Sequence, residues 1–452
     1  LTIATVGCND SASGPNSLTN TGRAGAGGPP GDEICLGPDG TPLPTAPASQ
    51  RVDLAEPAFS NPTRVTNPLF PVARQFRVLQ LGTVDGLPFR AEVTLLEDTK
   101  TIDVDVGGAP VENLVSQYAA FLDGEIHEVA LDFYAQADDG AVWYFGEDVY
   151  NYEDGLIADT DGTWLAGRDG TAAMIMPGNP QLGDVYRPEN ICGLVFEEVV
   201  VKSIGVTVDG PRGPVAGAIV AEELHMDATR EDKTFAPGYG EFATGSGDDR
   251  EVLAIAVPED ALPGLPPSEL ETAASAAGEI FEAASSADWE AAAGSLGEIT
   301  AAWEAFRSGA LPPILKAEFD SALTRLAGTV TARDPAEARR AALAVTLAGL
   351  DLQLSYRTAA ETDLDLLDLW ARRLIVEAEE GDRGRVLGAA ATLGWIRDRI
   401  ARDVSFEELQ AIDARLNGLR AAVRVGDLTA AGRAATSLRS TLTGTRVIVS
   451  ER

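Results

Sequence analysis

Histidine is nearly absent, with two residues in 452, and none follows His225. That scarcity argues against imidazole-based chemistry. No Ser–His or Cys–His pair with a nucleophile motif such as G-x-S-x-G is present. The Glu-x-x-His ligand pattern of a di-iron helical bundle is missing from the C-terminal half. Phosphate-loop and dinucleotide-binding glycine motifs are also missing. The chain has no apolar run of the roughly 20 residues needed to span a membrane as a helix. Three cysteines and three methionines leave little soft-ligand chemistry, and all six lie before residue 227.

Acid is abundant. The formal net charge is −35, and it is unevenly spread. Through Leu265 there are 42 acidic and 14 basic residues, a balance of −28, against −7 for the remainder. Such a field repels nucleic acid and anionic lipid and attracts cations or basic partners. Apolar residues make up 45 % of the chain, enough to fill real cores.

The chain opens "LTIATVGC". A short apolar run that ends on a small residue and then Cys8 reads as the tail of a bacterial lipoprotein signal, with Cys8 the lipidated residue. No basic segment precedes it, so the start is expected to be truncated. Cys35 and Cys192 then remain, and in an exported protein they are expected to form a disulfide. Residues 1–7 are read as the signal remnant. Residues 8–53, rich in Gly, Pro, Ser, Thr and Asn, are read as a flexible tether.

Residues 54–258 carry a β pattern. Asp-Gly recurs at 85, 123, 139, 154, 161, 169 and 209, a pair suited to tight hairpins. Alternating runs lie between these pairs, so an antiparallel meander is expected: a curved sheet, sandwich or half-barrel. A Pro-rich linker occupies 259–267. Residues 268–445 become rich in Ala and Leu at helical spacing. Asp288, Asp334, Asp382 and Asp427 are spaced 46, 48 and 45 residues apart, and each suits a helix N-cap. About eight helices are expected, as a helix-hairpin repeat or a closed bundle. The fold class is therefore α+β in separate domains, sheet first and helices second.

Several β-half motifs occur together: "TNPLFP" (66–71), "DFYAQADDGAVWYFGEDVYNYEDG" (132–155), "TWLAGRDG" (163–170), "MPGNPQLGDVYRPE" (176–189) and "FAPGYG" (235–240). Over roughly residues 60–258 the chain resembles a widespread group of bacterial secreted or lipoprotein β-domains. The final Gly-rich strand is similar to lipoprotein domains with a half-barrel sheet. The resemblance implies an envelope β-domain and no catalytic residues. Cys192 departs from the group's pattern, so the disulfide is peculiar to this chain.

Seven aromatic residues crowd into Phe133–Gly155. Packing of a sheet core is the plain reading. The functional reading is a ring-lined face of Tyr134, Trp143, Tyr144 and Trp164 for a small apolar or aromatic ligand. Strict alternation places Trp143, Phe145 and Glu147 on one face and Val142 and Tyr144 on the other. His127 falls on an apolar face, as a half-buried structural histidine. Met174 and Met176 in "MIM", with His225, are the candidate copper ligands, while "DTDG" at 159 has only the start of a calcium-loop spacing. Asp132 with Glu147 is the candidate carboxylate pair for a hydrolase. The acidic stripe in "ETDLDLLDLWARRL" reads as a solvated helix face.

The expected protein is thus an exported, lipid-anchored envelope protein, non-catalytic and without a cofactor, that binds or scaffolds. Its partners would be a small ligand on the aromatic face or an envelope protein on the helices. Nucleic acid is not expected, and the membrane would be met only through the anchor. Metal binding and hydrolysis are the alternatives.

Overall fold

A computed structural model describes residues 34–103 and 109–448. The signal remnant, Cys8 and tether residues 8–33 lie outside the described residues. Fourteen strands come first: β1 (Arg77–Val84), β2 (Leu87–Ile102), β3 (Val111–Leu122), β4 (Glu125–Gln136), β5 (Val142–Glu153), β6 (Leu156–Asp159), β7 (Trp164–Leu165), β8 (Ala173–Met176), β9 (Val185–Ile191), β10 (Val195–Gly210), β11 (Gly213–His225), β12 (Arg230–Ala236), β13 (Gly240–Ser246) and β14 (Asp249–Val257). Eight helices follow: α1 (Ser268–Ser285), α2 (Trp289–Phe306), α3 (Pro313–Ala332), α4 (Pro335–Gln353), α5 (Ala359–Glu380), α6 (Arg383–Arg399), α7 (Phe406–Arg424) and α8 (Leu428–Leu442).

All the strands join one open antiparallel sheet, in the order β6-β5-β4-β3-β2-β1-β14-β13-β12-β11-β10-β9, with β7 and β8 also paired to β5. The chain starts in mid-sheet, meanders to one edge, crosses to the other and meanders back. Its first and last strands are therefore neighbours. Three Asp-Gly pairs make the two-residue hairpins expected of them. Both residues have positive φ at Asp85-Gly86, Asp123-Gly124 and Asp154-Gly155. Asp209-Gly210 does not form a turn. It lies in β10, paired with Pro214 and Gly213, and the turn falls on Pro211 and Arg212.

Each Asp expected to cap a helix does so. Asp288, Asp334, Asp382 and Asp427 accept from the backbone N–H of Ala291, Glu337, Arg385 and Ala430. Thr358 and Ser405 begin the intervening helices with capping boxes to Glu361 and Glu408. Helix α1 packs on both α2 and α4, and α5 on both α6 and α8. Each set of four closes on itself, so the helices form two four-helix groups joined through α4 and α5, not a solenoid.

The helices pack on one face of the sheet over β14 and β1–β6, and a single apolar core runs through both. Leu79, Phe121, Val129 and Ile255 of the sheet belong to the same buried cluster as Trp303, Leu367 and Leu393 of the helices. Phe121 stacks on Trp370 at 5.5 Å, and Trp395 donates to the Tyr152 hydroxyl at 2.8 Å. Three arginines and three carboxylates are also sealed into this interface. Arg77 holds both oxygens of Asp363 at 2.7 Å. Arg90 holds Asp351 at 2.8 Å, and Arg399 donates to Glu92 and to Gln117. Burial alone would raise the Glu92 carboxyl, yet Arg90, Arg399 and Arg77 hold it far below the usual range. Asp363 thus leaves the solvated stripe of α5 for the sheet. Asp368 stays on that stripe and pairs with Arg372 one turn away.

Cys35 and Cys192 form the disulfide, with Cα atoms 4.9 Å apart. It fastens residues around Cys35 onto the sheet beside Phe196 and Leu224.

Candidate functional site

The other face of the sheet turns inward. The sheet curls far enough that Glu147 of β5 hydrogen-bonds Glu189 of β9, the strand at the opposite edge. Trp164 of β7 reaches the same carboxylate, donating from Nε1 at 3.1 Å. The residues beside Glu147 explain its aim. Asp132 faces Glu147 across the β4–β5 ladder, and the next aligned pair is Tyr134 with Tyr144. Three residues of β5 therefore match two of β4, a β-bulge around Gly146, whose φ is +118°. A Cβ there would lie 2.2 Å from the Trp164 carbonyl oxygen. The bulge moves Glu147 onto the face of Tyr144, which corrects the strict alternation expected for this strand.

Asp132, Glu147 and Glu189 thus form a chain of carboxyls in contact, each nearly sealed from solvent. The Tyr144 hydroxyl donates to Asp132 Oδ1 at 2.8 Å. Carboxyls in contact share protons. Burial pushes Asp132 up to about 6 and Glu189 to about 8. Glu147 is raised well above its usual value by burial, then by Glu189 and Asp132. Glu128, one inward position before Ala130, is pushed up to about 8 by burial and by Asp132. Among the described residues no lysine, arginine or histidine pairs with any of these four carboxyls.

Several inward-facing hydroxyls have no hydrogen-bond partner. They belong to Ser116 and Tyr118 of β3, Tyr134 of β4 and Tyr186 of β9, all 2 % exposed or less. Oδ2 of Asp132 is unpartnered too. Ser116 stands directly across the ladder from Asp132, and Tyr118 from Ala130. Buried polar groups are nearly always satisfied, so this concentration on one face asks for a ligand or ordered water.

The row continues through Glu197, which faces Glu189 across β9–β10 and His225 across β10–β11. Here two cations sit among the carboxylates. Lys233 Nζ lies 2.6 Å from Glu223. His225 contacts Glu197 at 3.5 Å and Glu231 at 3.3 Å. Burial alone would lower the imidazole, but hydrogen bonds to Glu197 and Glu231 hold it up at about 10. Glu197, Glu223 and His225 bring donor atoms within 4.8 Å of one another, the set among the described residues able to converge on a metal ion.

The structure gathers three of the four candidate rings. Tyr134 stacks on Tyr144 at 4.9 Å, and Tyr144 meets Trp164 edge-on at 5.4 Å. They pack together as a buried wall without an open ring face, because sheet curling closes over them. Trp143 turns to the opposite face from Tyr144 and pairs across from Met174. Met174 and Met176 lie buried among apolar residues on β8, whereas His225, on β11, meets the carboxylates of Glu197, Glu223 and Glu231. The copper set therefore is not assembled. His127 is half-buried, and burial lowers its pKa. It lines a crevice of about 330 Å³ against α6. Glu189, Glu197, Glu223 and Lys233 were missed in the sequence. For Glu223 the signal was a charge on the small and apolar face of an alternating strand, after Ile219 and Ala221 in "AIVAEELH".

No family model matches the chain, and no curated protein matches it.

Proposed function

We propose that this is an exported binding protein of the bacterial cell envelope, non-catalytic, anchored by lipid on Cys8, with its ligand held inside the curled sheet. The carrying observation is the set of buried hydroxyls without partners that line the inner face at Ser116, Tyr118, Tyr134 and Tyr186. A disulfide fits an oxidising, extracytoplasmic compartment. The start "LTIATVGC" and the likeness of residues 60–258 to secreted β-domains support the same place. In this reading the helices serve as a platform. A groove of about 470 Å³ between α1, α4 and α5, floored by Phe281, Leu350 and Leu369, offers a surface for an envelope protein.

Native mass spectrometry of the chain purified from a bacterial envelope tests the reading. Extra mass that departs on denaturation is the expected result. Bare protein mass from several preparations, with no added compound retained, would refute it. Cys8→Ser should move the protein from the membrane fraction to the soluble one.

Hydrolysis by Asp132 and Glu147 has their raised affinity for protons in its favour. Their direct contact speaks against it, because glycosidase carboxyls stand roughly 5 Å or more apart to admit substrate.

A further inference from the structure

We propose that the inner face binds an aliphatic polyammonium ion, with its positive groups seated along the row Asp132, Glu147 and Glu189. This rests on the reading of the sheet interior as a ligand site, and adds the chemical class of the ligand.

Glu128, Asp132, Glu147 and Glu189 line one stretch of the inner face, and no basic side chain among the described residues pairs with them. At the other end of the row Lys233 and His225 already supply cations. Anions are therefore excluded from the unbalanced stretch, and a cation is the ligand that its charge calls for. Unpartnered hydroxyls point to a hydrogen-bond donor beside the carboxyls. The hydroxyls of Tyr118 and Tyr134 are each 2 % exposed and without a partner. Asp132 and Glu147 are near enough to Tyr134 to perturb it, as Glu251, Glu128 and Asp132 are to Tyr118. These hydroxyls can accept hydrogen bonds from ammonium groups while the carboxylates neutralise them.

Geometry separates an organic cation from a metal ion. A metal needs donors that converge on one point. Asp132, Glu147 and Glu189 are strung out from β4 to β5 to β9, and the described set that does converge is Glu197, Glu223 and His225. Asp132 and Glu147 stand opposite each other on adjacent strands, which repeat at about 4.8 Å, a spacing that ammonium groups on a short methylene spacer match. Small inward side chains, Ala91, Ala120 and Ala130, stand on the neighbouring strands.

Calorimetric titration of the intact chain with spermidine, putrescine and Ca²⁺ at fixed ionic strength tests this. Spermidine should bind best and raise the melting temperature. Asp132→Asn with Glu189→Gln should weaken that binding about tenfold or more. Those substitutions relieve repulsion between carboxyls, so the variant is expected to fold at least as well as the parent. Exposed Glu290→Gln should change nothing. Equal binding by the double variant, a melting shift that added NaCl reproduces, or tighter binding of Ca²⁺ would each overturn the proposal. If spermidine does not bind while the envelope-purified protein carries a neutral compound, the polyammonium assignment falls and the carrier reading stands. If neither binds, both fall.

Discussion

Arg77→Met is expected to cost about 3 kcal/mol of stability. Arg77 is 1 % exposed and lies where the sheet meets α5. It donates twice to Asp363 at 2.7 Å and once to Thr94 at 2.9 Å, and lies 3.5 Å from Glu92. Arg77, Arg90 and Arg399 balance Glu92, Asp351 and Asp363 one for one. Removing one arginine leaves a buried carboxylate short of its partner, a change that typically costs about 3–5 kcal/mol. The lower end applies because Arg399 remains 3.5 Å from Asp363. Adding Asp363→Leu restores neutrality. The double variant should return to within about 1 kcal/mol of the parent, since an apolar pair replaces a buried ion pair at little cost. Urea denaturation followed by tryptophan fluorescence and by far-ultraviolet dichroism measures both. The two probes should report one transition, because sheet and helices share a core. A loss under about 1 kcal/mol for Arg77→Met, or a double variant equal to the sum of its singles, refutes the charge-balance argument.

Stability should fall as pH rises from about 5 to about 8.5. The folded state keeps protons on Glu189, Glu128 and Glu251, all pushed up to about 8, and on Asp132 at about 6. The unfolded chain releases them near ordinary carboxyl values. Their contribution is thus full at the acid end of that window and lost as pH passes about 8. Glu197, held low, acts oppositely, but only below its ordinary value of 4.5. Melting temperatures at matched ionic strength check this, and a flat or rising curve contradicts it. Gly155→Ala should destabilise by about 2 kcal/mol or more. Its φ is +72°, and the new Cβ would lie 2.2 Å from Gly388 N of α6. Loss of the hairpin's docking would show as faster hydrogen exchange in β5 and β6. Cys35→Ser should cost about 2–5 kcal/mol, because the bond closes a loop of 157 residues in the unfolded chain. Chemical denaturation with and without reductant measures it, and reductant should not affect the variant.

By itself the sequence determined what depends on near neighbours along the chain. Asp-Gly pairs that must take positive φ marked the hairpins at 85, 123 and 154. Asp before an Ala-rich run marked four helix starts, since a cap needs only the next turn. Counting cysteines paired Cys35 with Cys192. Tertiary structure decided what depends on distant partners. Period-2 reading put Glu147 on the wrong face, because one extra residue at the Gly146 bulge, fixed by the close passage of Trp164, reversed the alternation. Helix spacing could not choose between solenoid and bundle, because the contacts of α1 with α4 and of α5 with α8 join segments far apart in sequence. Asp363 reads as a surface residue of an acidic helix until Arg77, nearly 300 residues earlier, is set against it. The carboxyl row exists only because the sheet curls until β5 and β9 meet. Strand pattern states which residues share a face. How far that face bends, and which charges it brings into contact, is set by the packing of the whole sheet.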